Sequence, residues 1–476
     1  MASSSRASRT RVVSGSDAAI WIRWTSHVSG KAETILTPDC FNASKMILEF
    51  STETGTAANC STDTYNVDTM TGVTFPIDTI RSQFPALNES GGTIFFDNAA
   101  GAQLPIRVID AVKDHLIHRM VQRGGPYRLS REVDEVIERA RAAVADLVNA
   151  ADPNEIVFGL NGTGFMRLLS QTIGEQRGER NEIIATELDH EANISVWLEL
   201  RKRGFTVRFW PVVDGSPRLD VKDLVPLLSN KTRLVAVTWA SNATGSLVDI
   251  TAAAAAAHGA GAEVFVDAVH YLPHGPVDVQ KTGIDYMACS TYKAFAPHMG
   301  FGWGRKQLLD SLPAFREYFI PDAAPYKFEI GTYVYENVSG LIAAIDYLEN
   351  VGRLCGASGN SRQALRHGMH AIRDYEMMLS DRMLRGLGTI PSVRTYGLRQ
   401  PQDRTPTFCF TVEGVAPGTV CEKAAARGYA IRYGHLYCPR LIQRLGLSED
   451  TGAVRASLVH YNTADEIDGF LDTLRS

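Results

Sequence analysis

Residues 289–300 read CSTYKAFAPHMG, in which Lys293 ends a run of small and hydroxyl residues that follows the short apolar run YMACS. The stretch before it, AEVFVDAV over residues 262–269, is also apolar and rich in β-branched side chains, with Asp267 near its end. Both runs are typical of buried strands. A charged lysine in such surroundings is costly unless its amine is paired or neutral. One way to keep the amine neutral is to bind it covalently as an imine.

Short apolar runs alternate with helical patterns on both sides of this stretch. The predicted strands are EIVFG, EIIAT, TVRFWPV, RLVAVTWA, EVFVDAV and YMACS, separated by segments such as GFMRLLSQTIG and EANISVWLELRKRG. This alternation predicts an α/β fold with a mostly parallel, doubly wound sheet between layers of helices. After about residue 380 the pattern changes to strands followed by one helix, ADEIDGFLDTLRS, which indicates a smaller α+β domain.

Composition excludes several classes of protein. The 476 residues are 45% hydrophobic, which suits a chain with a large core, and the net charge of −5 gives no support to nucleic-acid binding. No run of apolar residues is long enough for a membrane span. The seven cysteines form no CxxC pair. They therefore predict free thiols in a reducing compartment, with no disulfide framework and no metal site.

The first part of the chain differs from the rest. Residues 1–75 are rich in Ser, Thr and Ala without a sustained period, and we expect a disordered extension there. We expect a cytoplasmic protein; because the opening, MASSSRASRTRVV, resembles a transit peptide, the alternative is a mitochondrial location. The other expected units are an N-terminal segment packing on the small domain (76–95), a large domain (96–350) and a small C-terminal α+β domain (351–476).

Three weak signals fall where open α/β sheets bind ligands, at the carboxyl ends of strands. Gly162 and Thr163 lie in an NGTG turn before a helix, where free N–H groups favour a phosphate. The turn has neither the P-loop nor the GxGxxG pattern, so a nucleoside triphosphate or dinucleotide is not indicated. Asp267 could pair with a cationic ring nitrogen, and Lys293 could form an imine. In this order the three describe a site for pyridoxal 5′-phosphate (PLP).

A family resemblance rests on longer stretches. They are FFDNAAGAQLP, VFGLNGTGFMRLL, LDHEANISVWLEL, VTWASNATGSLVDI, VFVDAVHYLPHGPVDVQ, STYKAFAPHMG, FEIGT and VRASLVHYNTADEID. From about residue 93 to 473 the chain resembles the class V aminotransferases of fold type I. That group contains cysteine desulfurases and selenocysteine lyases. The resemblance implies a PLP enzyme with a large and a small domain.

The resemblance also implies roles for individual residues. His190 would stack on the PLP ring and act as an acid/base, a task for which a near-neutral imidazole pKa is suited. Asn242 and His270 would lie near the 3′ oxygen of PLP. The phosphate would be held by the turn at Gly162 together with Thr163, Ser290 and Tyr292, and by Thr332 of a neighbouring subunit, which implies a homodimer with shared active sites. Arg455 would bind the substrate carboxylate, and Arg432, Asn98 and Tyr437 would also face the substrate.

One departure from the family pattern concerns the nucleophile of the desulfurases. Their loop reads roughly Arg-Thr-Gly-His-His-Cys, whereas here residues 432–440 read RYGHLYCPR. Counted from Arg432, the nucleophile position is Tyr437, and Cys438 comes one residue later. A shift of one residue can turn a side chain away from the substrate, because a thiolate must approach closely to attack. We expect Cys438 to be a packing cysteine.

The resulting prediction is a PLP-dependent lyase of desulfurase-like type that lacks the positioned cysteine. It would act on a small amino acid through an imine between substrate and cofactor. The alternatives are a carbon–carbon bond-forming (decarboxylative aldol) enzyme of a biosynthetic pathway, an aminotransferase, and a catalytically silent PLP-binding protein.

Overall fold

The computed structural model describes residues 12–14, 20–25, 31–36, 75–213 and 215–476. The chain divides into two compact units, Met1–Gly72 and Val73–Ser476. In the first unit, the strands β1 (Val12–Ser14), β2 (Ile20–Thr25) and β3 (Lys31–Leu36) form an antiparallel sheet in that order. The expected disorder of residues 1–75 falls mostly on residues outside this description and stays a prediction.

The second unit holds the remaining elements. Its strands are β4 (Ile94–Phe95), β5 (Ile156–Gly159), β6 (Glu182–Thr186), β7 (Thr206–Trp210), β8 (Thr232–Thr238), β9 (Glu263–Asp267), β10 (Tyr286–Ser290), β11 (Gly300–Gly304), β12 (Val393–Tyr396), β13 (Thr407–Val412), β14 (Tyr429–Ala430), β15 (Arg432–Gly434) and β16 (Ala453–Ser457). Its helices are α1 (Ile77–Arg81), α2 (Ala86–Glu89), α3 (Ile106–His118), α4 (Arg128–Val148), α5 (Gly162–Glu175), α6 (Ala192–Leu198), α7 (Val221–Leu224), α8 (Ile250–Gly259), α9 (Val279–Thr282), α10 (Lys306–Ser311), α11 (Tyr335–Leu354), α12 (Ser361–Gly388), α13 (Pro417–Ala426), α14 (Pro439–Arg444) and α15 (Ala464–Arg475).

A seven-stranded sheet in the order β5-β11-β10-β9-β8-β6-β7 forms the centre of this unit. Its neighbours pair in parallel except at β11, which is antiparallel to both β10 and β5. One apolar cluster covers one face with α4, α8 and α11, and another covers the opposite face with α5 and α6. The predicted α/β fold with a mostly parallel sheet between helices is confirmed.

Strand β11 was not predicted, because its sequence, GFGWG, has little β propensity. Its glycines are required by packing: a Cβ on Gly300 would lie 2.5 Å from the backbone of Asn161, and one on Gly302 would overlap the ring of Phe165. The strand therefore passes directly beneath the start of α5. This close approach places the NGTG turn next to the end of β10, where Lys293 follows.

The C-terminal part forms a second sheet in the order β12-β13-β16-β15, with antiparallel neighbours. Helices α12 and α15, each begun by a capping box, pack with it around a separate apolar cluster. Upstream, β4 pairs in parallel with β14, so residues near 94 join this part of the molecule. The domain boundaries expected at 95 and 350 stay predictions. No helix among the described residues is long and apolar enough to cross a bilayer.

Candidate active site

The candidate site lies at the carboxyl ends of the central strands. Asp267 ends β9, Ser290 ends β10, and Lys293 closes a single 3-10 turn, Thr291–Lys293, directly after β10. The backbone of the next residues is fixed, because Thr291 N–H and Oγ1 both bond to Met299 O. The sheet thus brings together three residues that the sequence singled out.

Lys293 is buried, and its surroundings favour the neutral amine. Burial and the nearby Arg455 guanidinium lower the Lys293 pKa to about 8, against the opposing attraction of Asp267. A lysine with this pKa keeps a share of free amine near neutral pH, whereas an exposed lysine does not. The side chain can therefore act as a nucleophile toward a carbonyl.

Asp267 is buried beside this lysine. Burial raises its pKa to about 6, while the N–H of Val269, which donates to Asp267 Oδ1 at 2.9 Å, and the charge of Lys293 oppose that rise. The carboxylate therefore remains mostly ionised at neutral pH. An ionised carboxylate inside the site can hold a cationic ring nitrogen.

His190 lies between β6 and α6, and its ring is held in one tautomer. The N–H of Ala192 donates to His190 Nδ1 at 3.0 Å, so the neutral ring carries its proton on Nε2. Burial, with the charges of Lys293 and Arg455, lowers the His190 pKa to about 4. This value is below the near-neutral one that the sequence led us to expect, so at neutral pH His190 is a hydrogen-bond donor through Nε2.

A cup suited to a phosphate is formed where α5 begins. Asn161 caps this 14-residue helix by accepting from Gly164 N–H at 2.8 Å, and Gly162 N–H donates to Ser290 Oγ at 2.9 Å. The Ser290 hydroxyl also hydrogen-bonds to the Tyr292 hydroxyl. Thr163 lies half-buried in the first turn of the helix. The start of the helix and the hydroxyl groups of Ser290 and Tyr292 therefore lie at one place.

Asn242 and His270 lie close to this centre but bond to other parts of the protein. Asn242 Nδ2 donates to Leu436 O at 2.8 Å, and its Oδ1 accepts from Cys438 Sγ at 3.1 Å. His270 Nε2 hydrogen-bonds Thr405 and Thr407, at 3.2 and 3.0 Å. Burial and nearby cations hold the His270 pKa well below its usual value, so its ring is neutral. Their roles toward PLP stay predictions.

Two arginines converge on an aspartate that the sequence analysis missed. Buried Arg455 donates from Nη2 to Asp97 Oδ1 at 3.0 Å and from Nη1 to Asn242 O at 2.9 Å. Half-exposed Arg432 donates from Nη2 to Asp97 Oδ2 at 2.8 Å. The Nε atom of Arg455 is buried without a hydrogen-bond partner in the described part of the chain. That unsatisfied donor is available to a carboxylate.

Asn98, predicted to face the substrate, and Thr332, predicted to reach a phosphate in a neighbouring subunit, lie in surroundings that differ from those of the residues above. Asn98 is used internally, since its Nδ2 donates to Phe95 O at 2.7 Å and Ser457 O at 2.9 Å, and its Oδ1 accepts from Tyr461. Thr332 is exposed on the segment before α11, where it accepts from Gln122 at 2.7 Å. The structure therefore gives Asn98 a structural role and leaves Thr332 outside the buried centre of its own chain.

The RYGHLYC loop presents a tyrosine and buries the cysteine. Tyr437 is 51% exposed and stacks on His190, with ring centroids 5.4 Å apart. Both Leu436 and Tyr437 have left-handed backbones, with φ of 55° and 60°. The loop is tied to the start of α6, because Glu191 N–H donates to Tyr437 O at 2.8 Å. Arg432 in turn hydrogen-bonds to the Tyr437 hydroxyl.

Cys438 is fully buried, and its thiol is already engaged. Its Sγ donates to Asn242 Oδ1 at 3.1 Å and lies 3.2 Å from Leu436 O. Burial raises the Cys438 pKa to about 12 despite the nearby Arg455. A thiol with this pKa is almost entirely protonated at neutral pH, and only the thiolate is a strong nucleophile.

Asp189 is a second residue that the sequence analysis missed. It is buried, and burial raises its pKa to about 8. It accepts from Asn193 Nδ2 at 2.6 Å, from Thr238 N–H at 3.1 Å and from the Thr186 hydroxyl. These bonds fix the residue before His190 to the ends of β6 and β8. Its position next to His190 in LDHEAN was the one available signal.

These residues fit PLP on three structural grounds. Lys293 offers a buried amine for covalent attachment, the start of α5 offers a cup for the phosphate, and Arg455 offers an unsatisfied donor for a carboxylate. Asp267 would hold the ring nitrogen and His190 would lie against the ring. When bound, PLP withdraws electrons from the Cα atom of an amino acid joined to it.

Comparison with known proteins gives one family. The model of the class V aminotransferases matches residues 94–470. The chain is similar to the aminotransferase-like protein FGM3 of Gibberella zeae, with 36% identity over 85% of this chain and 99% of that protein. It is also similar to a probable cysteine desulfurase of Synechocystis sp., with 33% identity over 84% of this chain and 94% of that protein.

Solved structures of cysteine desulfurases are also similar to this chain. The cysteine desulfurase CsdA of Escherichia coli is 27% identical with a TM-score of 0.73, covering 84% of this chain and 98% of that one. A cysteine desulfurase of Thermococcus onnurineus NA1 is 26% identical with a TM-score of 0.76, covering 85% and 98%. The extent of the family match and the identity to the relatives show that the chain belongs to the class V aminotransferase family, a family of PLP-dependent enzymes related to the cysteine desulfurases.

Proposed function

We propose that the protein is a PLP-dependent lyase that acts on a small amino acid without transferring sulfur to a cysteine. The observation that carries this proposal is the state of Cys438. Its thiol is buried, hydrogen-bonded to Asn242 and protonated at neutral pH, whereas the neighbouring Tyr437 is exposed over His190. A cysteine that attacks a substrate needs access and thiolate character, and Cys438 has neither.

Binding of the substrate is assigned to the arginine pair. The free Nε donor of Arg455 would bond the carboxylate of an amino acid, and Asp97 would hold the guanidinium in place. A buried charge-assisted bond of this type contributes about 1.5–3 kcal/mol. Because Asp97 offsets part of the positive charge, the site keeps a net attraction for a single carboxylate.

Proton movement is assigned to Lys293. Its amine, with a pKa lowered to about 8, would take a proton from the Cα atom of a bound amino acid. His190, neutral and protonated on Nε2, would stack on the cofactor ring and offer its Nε2–H as a hydrogen-bond donor at the ring's edge. Tyr437 and Arg432 would contact the substrate side chain from the exposed side of the site.

Two further features belong to the proposal. We place the enzyme in the cytoplasm, since the five cysteines of the described part are all free thiols, which a reducing compartment maintains. We also propose a homodimer, because Thr332 is exposed and would reach the phosphate of a second subunit. Both features follow from the residues named and extend the family assignment.

A second candidate is decarboxylative carbon–carbon bond formation on an acidic amino acid. The observation that favours it is Arg432, a second cation only 2.8 Å from Asp97 and partly exposed at the mouth of the site. A substrate with a second carboxylate could displace Asp97 from this arginine. A simple monocarboxylic amino acid has no group for it.

A product screen separates the candidates. Purified holoenzyme would be given each amino acid in turn, with the cofactor absorbance, sulfide, alanine, ammonia and carbon dioxide followed together, and with Lys293→Ala as the inactive control. The proposal expects elimination products from a small amino acid, with no protein-bound sulfur. Carbon dioxide and an aldehyde-dependent product from aspartate would favour the second candidate. An unchanged absorbance with every amino acid would refute both.

A further inference from the structure

A cavity separate from the catalytic site lies between the loop that follows β7 and the C-terminal part of the molecule. Its volume is about 770 Å³, and it is lined by residues 212–213 and 215–217 of that loop, by the end of α12, by β12 and by the end of α14. In the described part of the chain, none of its lining residues is among those assigned to PLP or to the substrate. Sites for small molecules commonly measure about 300–1,000 Å³, so the cavity has the size of a binding site.

Positive charge surrounds this cavity. Among the described residues that line it, Asp381 is the only acidic one, and four are arginines: Arg385, Arg394, Arg399 and Arg444. The loop after β7 also contains Asp214, which lies outside the described residues, and even with it the arginines outnumber the acids four to two. The whole chain has a net charge of −5, so the arginines are concentrated here against the general composition. Walls that carry one sign of charge attract small ions of the opposite sign.

Two of these arginines are available to a ligand. Arg394 and Arg399 are exposed, and the side chain of neither forms an ion pair within the described residues. The guanidinium of Arg394 lies over the ring of Tyr396, 5.2 Å from its centroid, which restricts its orientation. A planar guanidinium matches the paired oxygen atoms of a phosphate or a carboxylate.

Apolar side chains form another part of the wall. Val212 and Leu387 are buried, Leu384 and Leu445 are half-buried, and all four line the cavity. Apolar surface of this kind favours a ligand with a carbon skeleton over an inorganic ion. The ligand that fits both the charge and the apolar wall is a small organic anion with two or more negative charges, either a phosphate ester or a polycarboxylate.

Arg444 connects the cavity with the catalytic site. Its Nε atom lies 2.9 Å from Glu187 Oε2, and its Nη2 donates to Val212 O at 3.1 Å. Glu187 belongs to the segment between β6 and His190, three residues before that histidine. Helix α14, which ends at Arg444, follows the loop that presents Tyr437. One ion pair therefore joins the two segments that position the stacked rings of His190 and Tyr437.

We propose that the cavity binds a small organic anion with two or more negative charges, and that Arg444 transmits this binding to the catalytic site. The anion competes with Glu187 for the guanidinium of Arg444. When Arg444 bonds to the anion, the segments that lead to His190 and Tyr437 lose a shared contact, and the surroundings of the cofactor change. The binding itself is independent of the proposed function, whereas the transmission rests on it.

Isothermal titration calorimetry of the full-length holoenzyme tests the binding, with fructose 1,6-bisphosphate and citrate as probes and inorganic phosphate for comparison. At least one organic anion should bind with a Kd below about 1 mM and more tightly than phosphate, and the probe that binds distinguishes a phosphate ester from a polycarboxylate. Arg394→Gln/Arg399→Gln should raise that Kd at least about tenfold, whereas Arg427→Gln, at an exposed arginine elsewhere, should not. The proposal is overturned if neither probe binds, or if the double change has no effect, as it would for an anion bound at Arg455.

Glu187→Gln tests the transmission. The variant keeps an acceptor for Val212 N–H but removes the carboxylate that competes for Arg444, so the Kd of the bound probe should fall at least about threefold. Glu175→Gln, at an exposed glutamate that ends α5, should leave the Kd unchanged. A saturating probe should also alter the cofactor absorbance of the wild type and leave that of Arg444→Gln unaltered. An unchanged Kd in Glu187→Gln, or an unaltered wild-type spectrum, overturns the transmission. Because neither measurement requires turnover, the anion site and the proposed chemistry can fail separately.

Discussion

Burial acts on three titratable side chains of the site in different directions. It lowers the pKa of Lys293 to about 8 and that of His190 to about 4, and it raises the pKa of Asp267 to about 6. In each case the neutral form is favoured, because a charge loses solvation inside the protein. At neutral pH the site therefore combines a partly free amine, a neutral imidazole and a carboxylate that is mostly ionised.

The Lys293 amine should control the pH dependence of cofactor uptake. The protonated amine cannot attack an aldehyde, so the rate at which the apoprotein binds PLP should rise with pH and level off above about pH 8. Stopped-flow absorbance on the apoprotein measures this rate. Lys293→Ala should give no covalent product after borohydride reduction, whereas the surface change Lys306→Ala should behave as wild type. A rate that falls with rising pH would contradict the assignment.

Asp267 should matter for the rate more than for the fold. Asp267→Asn keeps the size of the side chain and the acceptor for Val269 N–H, but it removes the charge that would hold the ring nitrogen protonated. We expect turnover to fall by several orders of magnitude, a loss of about 3–5 kcal/mol in the barrier. Circular dichroism should be unchanged. Near-normal turnover of the variant on the true substrate would exclude this role.

The helices and strands hold the residues of the site in place through a few buried contacts. One of them is the ion pair of Arg141 on α4 with Glu329, 2.7 Å apart, which fixes the segment leading to Thr332. Glu329 Oε1 also accepts from Phe158 N–H at 2.8 Å. The same carboxylate thus connects β5, α4 and the segment that leads to Thr332.

Removing one partner of this pair should cost stability. Glu329→Gln keeps an acceptor for Phe158 N–H but leaves the buried Arg141 charge with only the exposed Glu138 carboxylate, 3.9 Å away, so the free energy of unfolding should fall by about 3–5 kcal/mol. The double variant Arg141→Met/Glu329→Gln should recover a good part of that loss, because no buried charge remains. Urea unfolding of the wild type, of Glu329→Gln, of Arg141→Met and of the double variant gives the double-mutant cycle. If the single and double variants lose the same free energy of unfolding, the Arg141–Glu329 ion pair does not hold this segment in place.

Much of this arrangement could be read from the sequence, and the exceptions have physical causes. Strands β5 to β10 carry apolar runs that periodicity detects, whereas the glycines of β11 are dictated by close packing that no local pattern contains. Lys293, Asp267 and His190 could be identified from the sequence because their residue types and positions after predicted strands are those that a PLP site requires. Asp97 and Asp189 were missed because their importance arises from partners that are distant in sequence or buried with them, such as Arg455 and Thr238.

At the scale of the whole molecule, the site belongs to one of the two compact units. Every residue assigned to it lies in Val73–Ser476. A protein that begins at residue 73 should therefore fold, bind PLP and keep the turnover of the full chain. Side-by-side absorbance spectra and kcat values measure this. Loss of cofactor binding on removal of residues 1–72 would show that the first unit contributes to the site.

The central claim is that this desulfurase-related enzyme carries no sulfur on Cys438. The direct test is to mix holoenzyme with L-cysteine, trap thiols with an alkylating label within the first turnover, and locate persulfide by mass spectrometry, with Cys438→Ala as the control. We expect no persulfide on Cys438, and no loss of turnover on the true substrate in the variant beyond that due to stability. A persulfide that forms on Cys438 at the rate of turnover would contradict the account.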